Sequence, residues 1–199
     1  WAENLIIESY TEKGIEITTE QLNVREGKQF LEPFTSMNPF HCVPFLELDD
    51  GTVISESISI CRYLEEIYPN PALFGTTAET RAIIDMWLRR FELDGFLPML
   101  HAVRNHLENF KGRVIPGTRT DLPQVPDMVS RGIEMGKMFL ERVEPHMAEN
   151  EFVAGSRFSV ADITAFFTIK LTTPLKIDIN ASYPGVAAWM DRMSKREAF

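Results

Sequence analysis

A carboxylate and a hydroxyl stand side by side at the predicted start of a helix. Glu56 and Ser57 precede apolar residues that recur with the spacing of one helical face as far as Tyr68. The first backbone N–H groups of a helix lack partners within the helix, and its dipole favours negative charge there. Such a helix end can bind a carboxylate while Glu56 binds an ammonium, so the pair suits the amino-acid-like end of a ligand.

A purely structural interpretation of the same segment is also open. Ser55 or Ser57 would cap the helix, and Glu56 would favour its first turn. On this segment alone, the residue types favour the structural interpretation.

The segment that leads into this helix predicts a β-hairpin. Residues 43–48 and 52–55 are rich in apolar and β-branched types, and Gly51 follows two aspartates between them. Glycine supplies the positive φ that a tight connection needs. Pro44 cannot donate to a strand ladder, so the first strand must begin there or lie at an edge.

Composition excludes several classes of protein. The chain has 199 residues, 44% of them hydrophobic, and a formal net charge of −9. An acidic balance argues against an extended nucleic-acid interface. The two cysteines, Cys42 and Cys61, form no disulfide framework and favour a reducing cytosol. No apolar run reaches the roughly 18 to 20 residues of a membrane span. No metal site is expected, because the histidines lack ligand spacing to acids or cysteines.

The chain changes character after a stiff Pro-Asn-Pro linker at 69–71. Before the linker, a helix ends at Gly14 and a strand is predicted over 15–24. After it, only helices are predicted, and a domain boundary is expected between Pro69 and Thr76. The predicted helices cover 76–110, 126–147, 159–170 and 183–199. Segment 112–126 is a long loop rich in Gly, Pro and Thr, and we expect it at the rim of a site.

Several of these segments resemble the cytosolic glutathione S-transferase family, of a bacterial-type or theta-like kind. Segment 38–44 (NPFHCVP), the hairpin and segment 54–60 (ISESISI) resemble its glutathione-binding region. Segment 12–16 (EKGIE) resembles the end of its first helix, and 158–163 (FSVADI) its helical-domain capping motif. The last motif also makes physical sense as a capping box with a hydrophobic staple, which is a structural role.

The resemblance implies a fold and a set of ligand contacts. It implies an α/β thioredoxin-like glutathione-binding domain at 1–70 and an all-α helical bundle domain at 76–199. Pro44 is expected to be cis, with the Val43 backbone pairing with the cysteinyl unit of glutathione. Glu56 and Ser57 are expected to bind its γ-glutamyl end.

Two positions beside this proline depart from the family pattern. His41 stands where the family usually has glycine, and Cys42 stands where it often has a polar residue. Either side chain would contact glutathione or be an ordinary loop residue. We favour an ordinary role for Cys42, because no paired cysteine is nearby to lower its pKa.

The family places its first strand and its thiol-activating residue before or at the start of the first helix. The sequence begins at Trp1, so we expect that strand to be missing and name no catalytic residue. A second substrate is expected in the crevice between the halves, along the helical segment from Trp87 to Arg104, although aromatic and Met residues there more often pack in a core. An acid within 92–94 would reach a neighbouring subunit's glutathione.

The resemblance implies an enzyme with glutathione as co-substrate and a small hydrophobic electrophile or peroxide as partner. A cytoplasmic homodimer with a role in detoxification is expected, with no nucleic-acid or membrane partner. The alternative is a non-catalytic protein-interaction module that has kept the fold. Intact Glu56 and Ser57 favour the enzyme.

Overall fold

A computed structural model describes residues 2–196, so Trp1 and the end of the last predicted helix lie outside the described residues. Residues 2–196 contain nine α-helices, α1 to α9, and two β-strands, β1 and β2. In chain order they are α1 (Ala2–Glu12), α2 (Phe34–Met37), β1 (Phe45–Glu47), β2 (Val53–Ser55), α3 (Ser57–Ile67), α4 (Ala78–Arg90), α5 (Leu97–His106), α6 (Pro126–Glu149), α7 (Val160–Lys170), α8 (Ile179–Ser182) and α9 (Pro184–Met193). No helix within 2–196 is long and apolar enough to cross a membrane.

The first half of the chain packs α1 against α3 beside the β1–β2 hairpin. Helix α1 ends at the predicted glycine, where Gly14 adopts a φ of 64° and donates to the Thr11 carbonyl. Strands β1 and β2 are antiparallel, with Phe45 opposite Ser55, and Gly51 has a φ of 83° in the turn. The predicted hairpin and the predicted helices α1 and α3 are therefore confirmed.

The strand predicted over 15–24 is wrong. Residues 15–23 form neither helix nor strand, and residue 24 begins a turn. A strand needs a neighbouring ladder, and in the described chain the sheet contains only β1 and β2. The polar stretch that follows also contains a short 3₁₀ turn at Lys28–Phe30 and the short helix α2. The side chains of this polar stretch show no helical periodicity, so the sequence predicted neither element.

The second half is helical, as predicted, and its core surrounds α7. Ten consecutive residues of α7, from Val160 to Ile169, are buried, so this helix is covered on every side. The capping motif at its start is confirmed. Asp162 accepts hydrogen bonds from the backbone N–H of Ser159 at 2.9 Å and of Val153 at 2.7 Å.

A π-helical segment, Phe91–Phe96, joins α4 to α5 and was not predicted. Gly95 lies in this segment, and a Cβ there would come within 2.6 Å of the Phe139 ring. Because only glycine leaves room for that contact, the segment can pack closely on α6 and α7. Single π-turns often occur at functional sites, since they change which side chains face a neighbouring element.

A buried ion pair joins α1 and α3 to the linker between the two halves. Lys13 Nζ lies 2.6 Å from a carboxylate oxygen of Glu65, and the Lys13 side chain has no exposed surface. Lys13 also donates to the carbonyls of Tyr68 and Pro71, at 2.8 and 2.7 Å. Glu65 in turn accepts from the backbone N–H groups of Leu73 and Phe74, just after the linker, so one pair holds three segments together.

Candidate functional site at the start of helix α3

The hairpin register places the Val43-Pro44 turn beside Glu56 and Ser57. Phe45 pairs with Ser55, so the residues just before β1 lie next to those just after β2. The Val43-Pro44 peptide bond is cis, as the resemblance implies. Val43 is 36% exposed. Four of the predicted site residues are therefore brought together by a three-residue strand pair.

The start of α3 has a free helix end. Glu56 occupies the N-cap position with φ 70° and ψ 123°, and no side chain within residues 2–196 caps the helix by a hydrogen bond. The interpretation in which Ser55 or Ser57 is the cap is therefore wrong. Ser57 is the first residue of the helix and is buried. A non-glycine residue with positive φ is uncommon, and such conformations are concentrated at ligand sites.

Asn38 shapes the turn that carries the two unusual residues. Its side chain donates to the Cys42 carbonyl at 2.8 Å and accepts from the Phe40 N–H at 3.2 Å. Between these contacts His41 adopts a φ of 52°, and its ring lies 5.0 Å from the ring of Phe30. His41 and Cys42 thus flank Val43 on a turn that is fixed by hydrogen bonds.

The surroundings of Cys42 disfavour its thiolate. Burial raises the pKa of the Cys42 thiol, and the nearby Glu56 carboxylate raises the pKa further, whereas Arg104 lowers it. A reactive cysteine needs the opposite balance, with a thiolate stabilised by cations or a helix end. These contacts support the ordinary role that we favoured for Cys42.

Replacing Cys42 by serine is expected to leave the glutathione-dependent activity that the resemblance implies within about threefold of the wild type, because burial favours the protonated thiol. Steady-state kinetics of the Cys42→Ser variant measures this. A loss of more than about 100-fold in kcat/KM, the scale of a lost catalytic group, would contradict the ordinary role.

The helical half contributes an acid to the same region. Arg62 of α3 forms an ion pair with Asp85 of α4, which links the two halves of the chain at this point. Glu92, two residues beyond the end of α4, is close enough to Glu56 for their charges to interact. Burial raises the pKa of Glu92, the Arg89 guanidinium lowers it, and Asp85 and Glu56 raise it further. The sequence did not indicate this proximity within one chain, because it depends on the π-segment.

The long loop at 112–126 lies against the turn that carries Cys42. A Cβ at Gly117 would come within 2.0 Å of the Phe40 carbonyl oxygen and 2.8 Å of Cys42 Sγ. Nearby, the Arg119 guanidinium lies 5.4 Å from the centre of the Phe30 ring. These contacts support the expectation that the loop belongs to the rim of the site.

The residues proposed for the crevice divide into two groups. Phe91, Met99 and Val103 are buried in the core, which is the common fate of apolar residues at helical spacing. Arg104 is only partly buried and interacts electrostatically with Cys42. A cavity of about 690 Å³ borders the Val43-Pro44 turn and is lined by residues of α1, residues 17–22 and β1.

Comparison with known families identifies both halves of the chain. Residues 10–67 match the N-terminal domain of glutathione S-transferases, and residues 134–197 match their C-terminal domain. The first match contains the hairpin and α3, and the second contains most of α6 and all of α7.

Individual relatives agree with these matches. Glutathione S-transferase 1 of Manduca sexta is 29% identical over 180 residues, which cover 89% of this chain and 76% of the relative. A solved glutathione S-transferase domain-containing protein of Marinobacter aquaeolei is 30% identical with a TM-score of 0.87, over 99% of this chain and 94% of the other. A Gtt2-class glutathione S-transferase of Vibrio parahaemolyticus is 32% identical with a TM-score of 0.84, over 100% and 90%. The chain therefore belongs to the glutathione S-transferase family and has its fold, a thioredoxin-like half followed by a helical half.

Proposed function

We propose that the protein is a glutathione transferase that binds glutathione and activates its thiol for attack on an electrophilic small molecule or a peroxide. The observation that carries the proposal is the free N-terminus of α3 beside the Val43-Pro44 turn. Family membership adds that relatives with this fold are named glutathione S-transferases.

Each end of the tripeptide has a suitable partner in this arrangement. The γ-glutamyl carboxylate is bound by Ser57 and the free amides at the start of α3, where the helix dipole stabilises it. The ammonium is bound by Glu56, with Glu92 adding negative charge nearby. The Val43 backbone pairs with the cysteinyl unit, and Pro44 fixes the turn. His41 and Cys42 flank this unit.

Catalysis follows from stabilising the thiolate and positioning it. A free thiol with a pKa near 8.5 is mostly protonated at neutral pH, so lowering that pKa raises the concentration of nucleophile. Holding the thiolate next to the electrophile adds a further acceleration by proximity. We assign the thiol-activating role to none of the residues named above.

The same proposal includes the two domains of the protein, its oligomeric state and its location in the cell. Residues 1–70 form the glutathione-binding domain, and 76–199 form the helical domain, with the small hydrophobic electrophile between them. The protein acts as a cytoplasmic homodimer in detoxification. A helix end left without a side-chain cap beside Glu56 and Ser57 favours ligand binding over a scaffold that has kept only the fold.

A conjugation assay tests the enzyme directly. With glutathione and a neutral chloronitrobenzene, we expect product formation that depends on both substrates. Glu56→Gln should lower kcat/KM by roughly 10-fold or more, because the ammonium loses a charged partner. Glu47→Gln removes the same charge from an exposed site on the same hairpin and should leave the rate unchanged. Product formation that does not depend on glutathione would contradict the proposal.

A further inference from the structure

Arg104 lies in the last turn of α5, beneath the loop at 112–126. Its Nη1 donates to the Arg113 carbonyl, and its guanidinium lies 4.8 Å from the centre of the Phe110 ring. Its own carbonyl accepts a hydrogen bond of 2.9 Å from Gln124. The helix and the loop therefore hold this side chain in one position.

This guanidinium lacks a negative partner among the residues that the structure describes. Arg104 forms no ion pair with any residue within 2–196, and its buried Nε has no hydrogen-bond partner there. Arg113 brings a second guanidinium to the same Phe110 ring, 5.8 Å from its centre, and is likewise without an ion pair in the described residues. Burial and the charge of Arg113 both lower the pKa of Arg104. A partly desolvated cation beside a like charge is stabilised by an anion.

The Arg104 side chain lies near the turn that carries Cys42. Arg104 and Cys42 interact electrostatically, and Gly117 of the overlying loop contacts both Phe40 and Cys42. Glu56 is close enough to Cys42 and to Glu92 for their charges to interact, so negative charge also lies near this turn. The region around the Cys42 turn therefore contains the acids Glu56 and Glu92 and a guanidinium that has no ion pair among the described residues.

We infer that Arg104 is a receptor for the carboxylate of a ligand bound in this crevice, with Arg113 adding positive charge. This inference rests on the proposed glutathione site. The carboxylate has two possible sources, the glycyl end of glutathione and an acidic group on the second substrate. Arginine suits either, because its planar fork binds a carboxylate through two parallel hydrogen bonds.

The first arm of the test compares two thiol ligands by calorimetry. Glutathione has the glycyl carboxylate, and its glycyl monoethyl ester lacks it. If the glycyl end is the source, Arg104→Gln should weaken glutathione binding by about 10- to 100-fold, the scale of a charged hydrogen bond, and leave ester binding within about twofold. Preserved ester binding shows that the variant is folded. Arg142→Gln removes the same charge from an exposed position on α6 and should change neither affinity.

The second arm compares two electrophiles, a chloronitrobenzoate and the corresponding neutral chloronitrobenzene. If the second substrate is the source, Arg104→Gln should raise KM for the benzoate alone by about 10-fold or more, and Arg104→Lys should restore part of the loss. Unchanged glutathione affinity together with unchanged KM for both electrophiles would overturn the inference while leaving glutathione binding established. Failure of the wild-type protein to bind either thiol would instead overturn the proposed function, and the inference with it.

Discussion

Replacing Asp162 by alanine is expected to lower the free energy of unfolding by about 3 to 5 kcal/mol, because buried donors would lose their acceptor. The carboxylate is fully buried and accepts from the backbone N–H groups of Val153 and Ser159 and from the Ser159 hydroxyl, at 2.7 to 3.0 Å. It therefore fixes both the start of α7, at the centre of the helical core, and the chain that precedes it. Urea denaturation followed by circular dichroism measures the loss.

A variant of an exposed helix cap shows how much of the expected loss in stability comes from burial of Asp162 and how much from capping alone. Asp178 caps the short helix α8 by accepting from the Ala181 N–H at 3.1 Å, but it is exposed. Asp178→Ala is expected to cost about 1 kcal/mol, the usual value for a surface cap. Equal losses for the two variants would contradict the role that we give to the buried network.

Replacing Lys13 by methionine is expected to destabilise the protein by about 3 to 5 kcal/mol, because it leaves the Glu65 carboxylate largely buried without its cation. Glu65 is only 12% exposed and also accepts from the Leu73 and Phe74 N–H groups, at 3.2 and 3.0 Å. Methionine keeps the apolar stem, so the variant isolates the charge and the three contacts made by Nζ. Thermal and urea unfolding both measure the effect.

An exposed ion pair provides the comparison for Lys13. Lys137 lies 3.0 Å from Glu134 on α6, with side chains 43% and 65% exposed. Lys137→Met is expected to change stability by less than about 0.5 kcal/mol, because water screens such pairs. If Lys13→Met costs no more than Lys137→Met, the pair does not hold the linker as we describe.

The elements that the sequence predicted correctly are those whose signals are local. Gly14 and Gly51 mark chain reversals that need positive φ, and Ser159 with Asp162 marks a helix start. Apolar spacing indicated α3 to α7 and α9, apart from the short helix α8, which the sequence did not predict. The predicted strand over 15–24 failed because a strand depends on a partner elsewhere in the chain, which no local pattern reveals.

The candidate site was predicted only in part, because local signals reveal only the contacts between neighbouring segments. Glu56, Ser57, Val43 and Pro44 are joined by one short hairpin, so their proximity follows from neighbouring segments. Glu92 and Arg104 reach the site from the other half, through the π-segment and the loop at 112–126. Neither contact has a local sequence signal, since each depends on how the two halves pack.

The central claim is that the start of α3 is a glutathione site, and a calorimetric titration tests it most directly. Reduced glutathione is titrated into the wild-type protein, the double variant Glu56→Ala, Ser57→Ala, and the control Glu47→Ala. We expect wild type and control to bind in the micromolar to millimolar range, and the double variant to bind at least about 100-fold more weakly. Equal affinity in all three proteins would place the ligand elsewhere, and no binding to the wild type would contradict the glutathione site altogether.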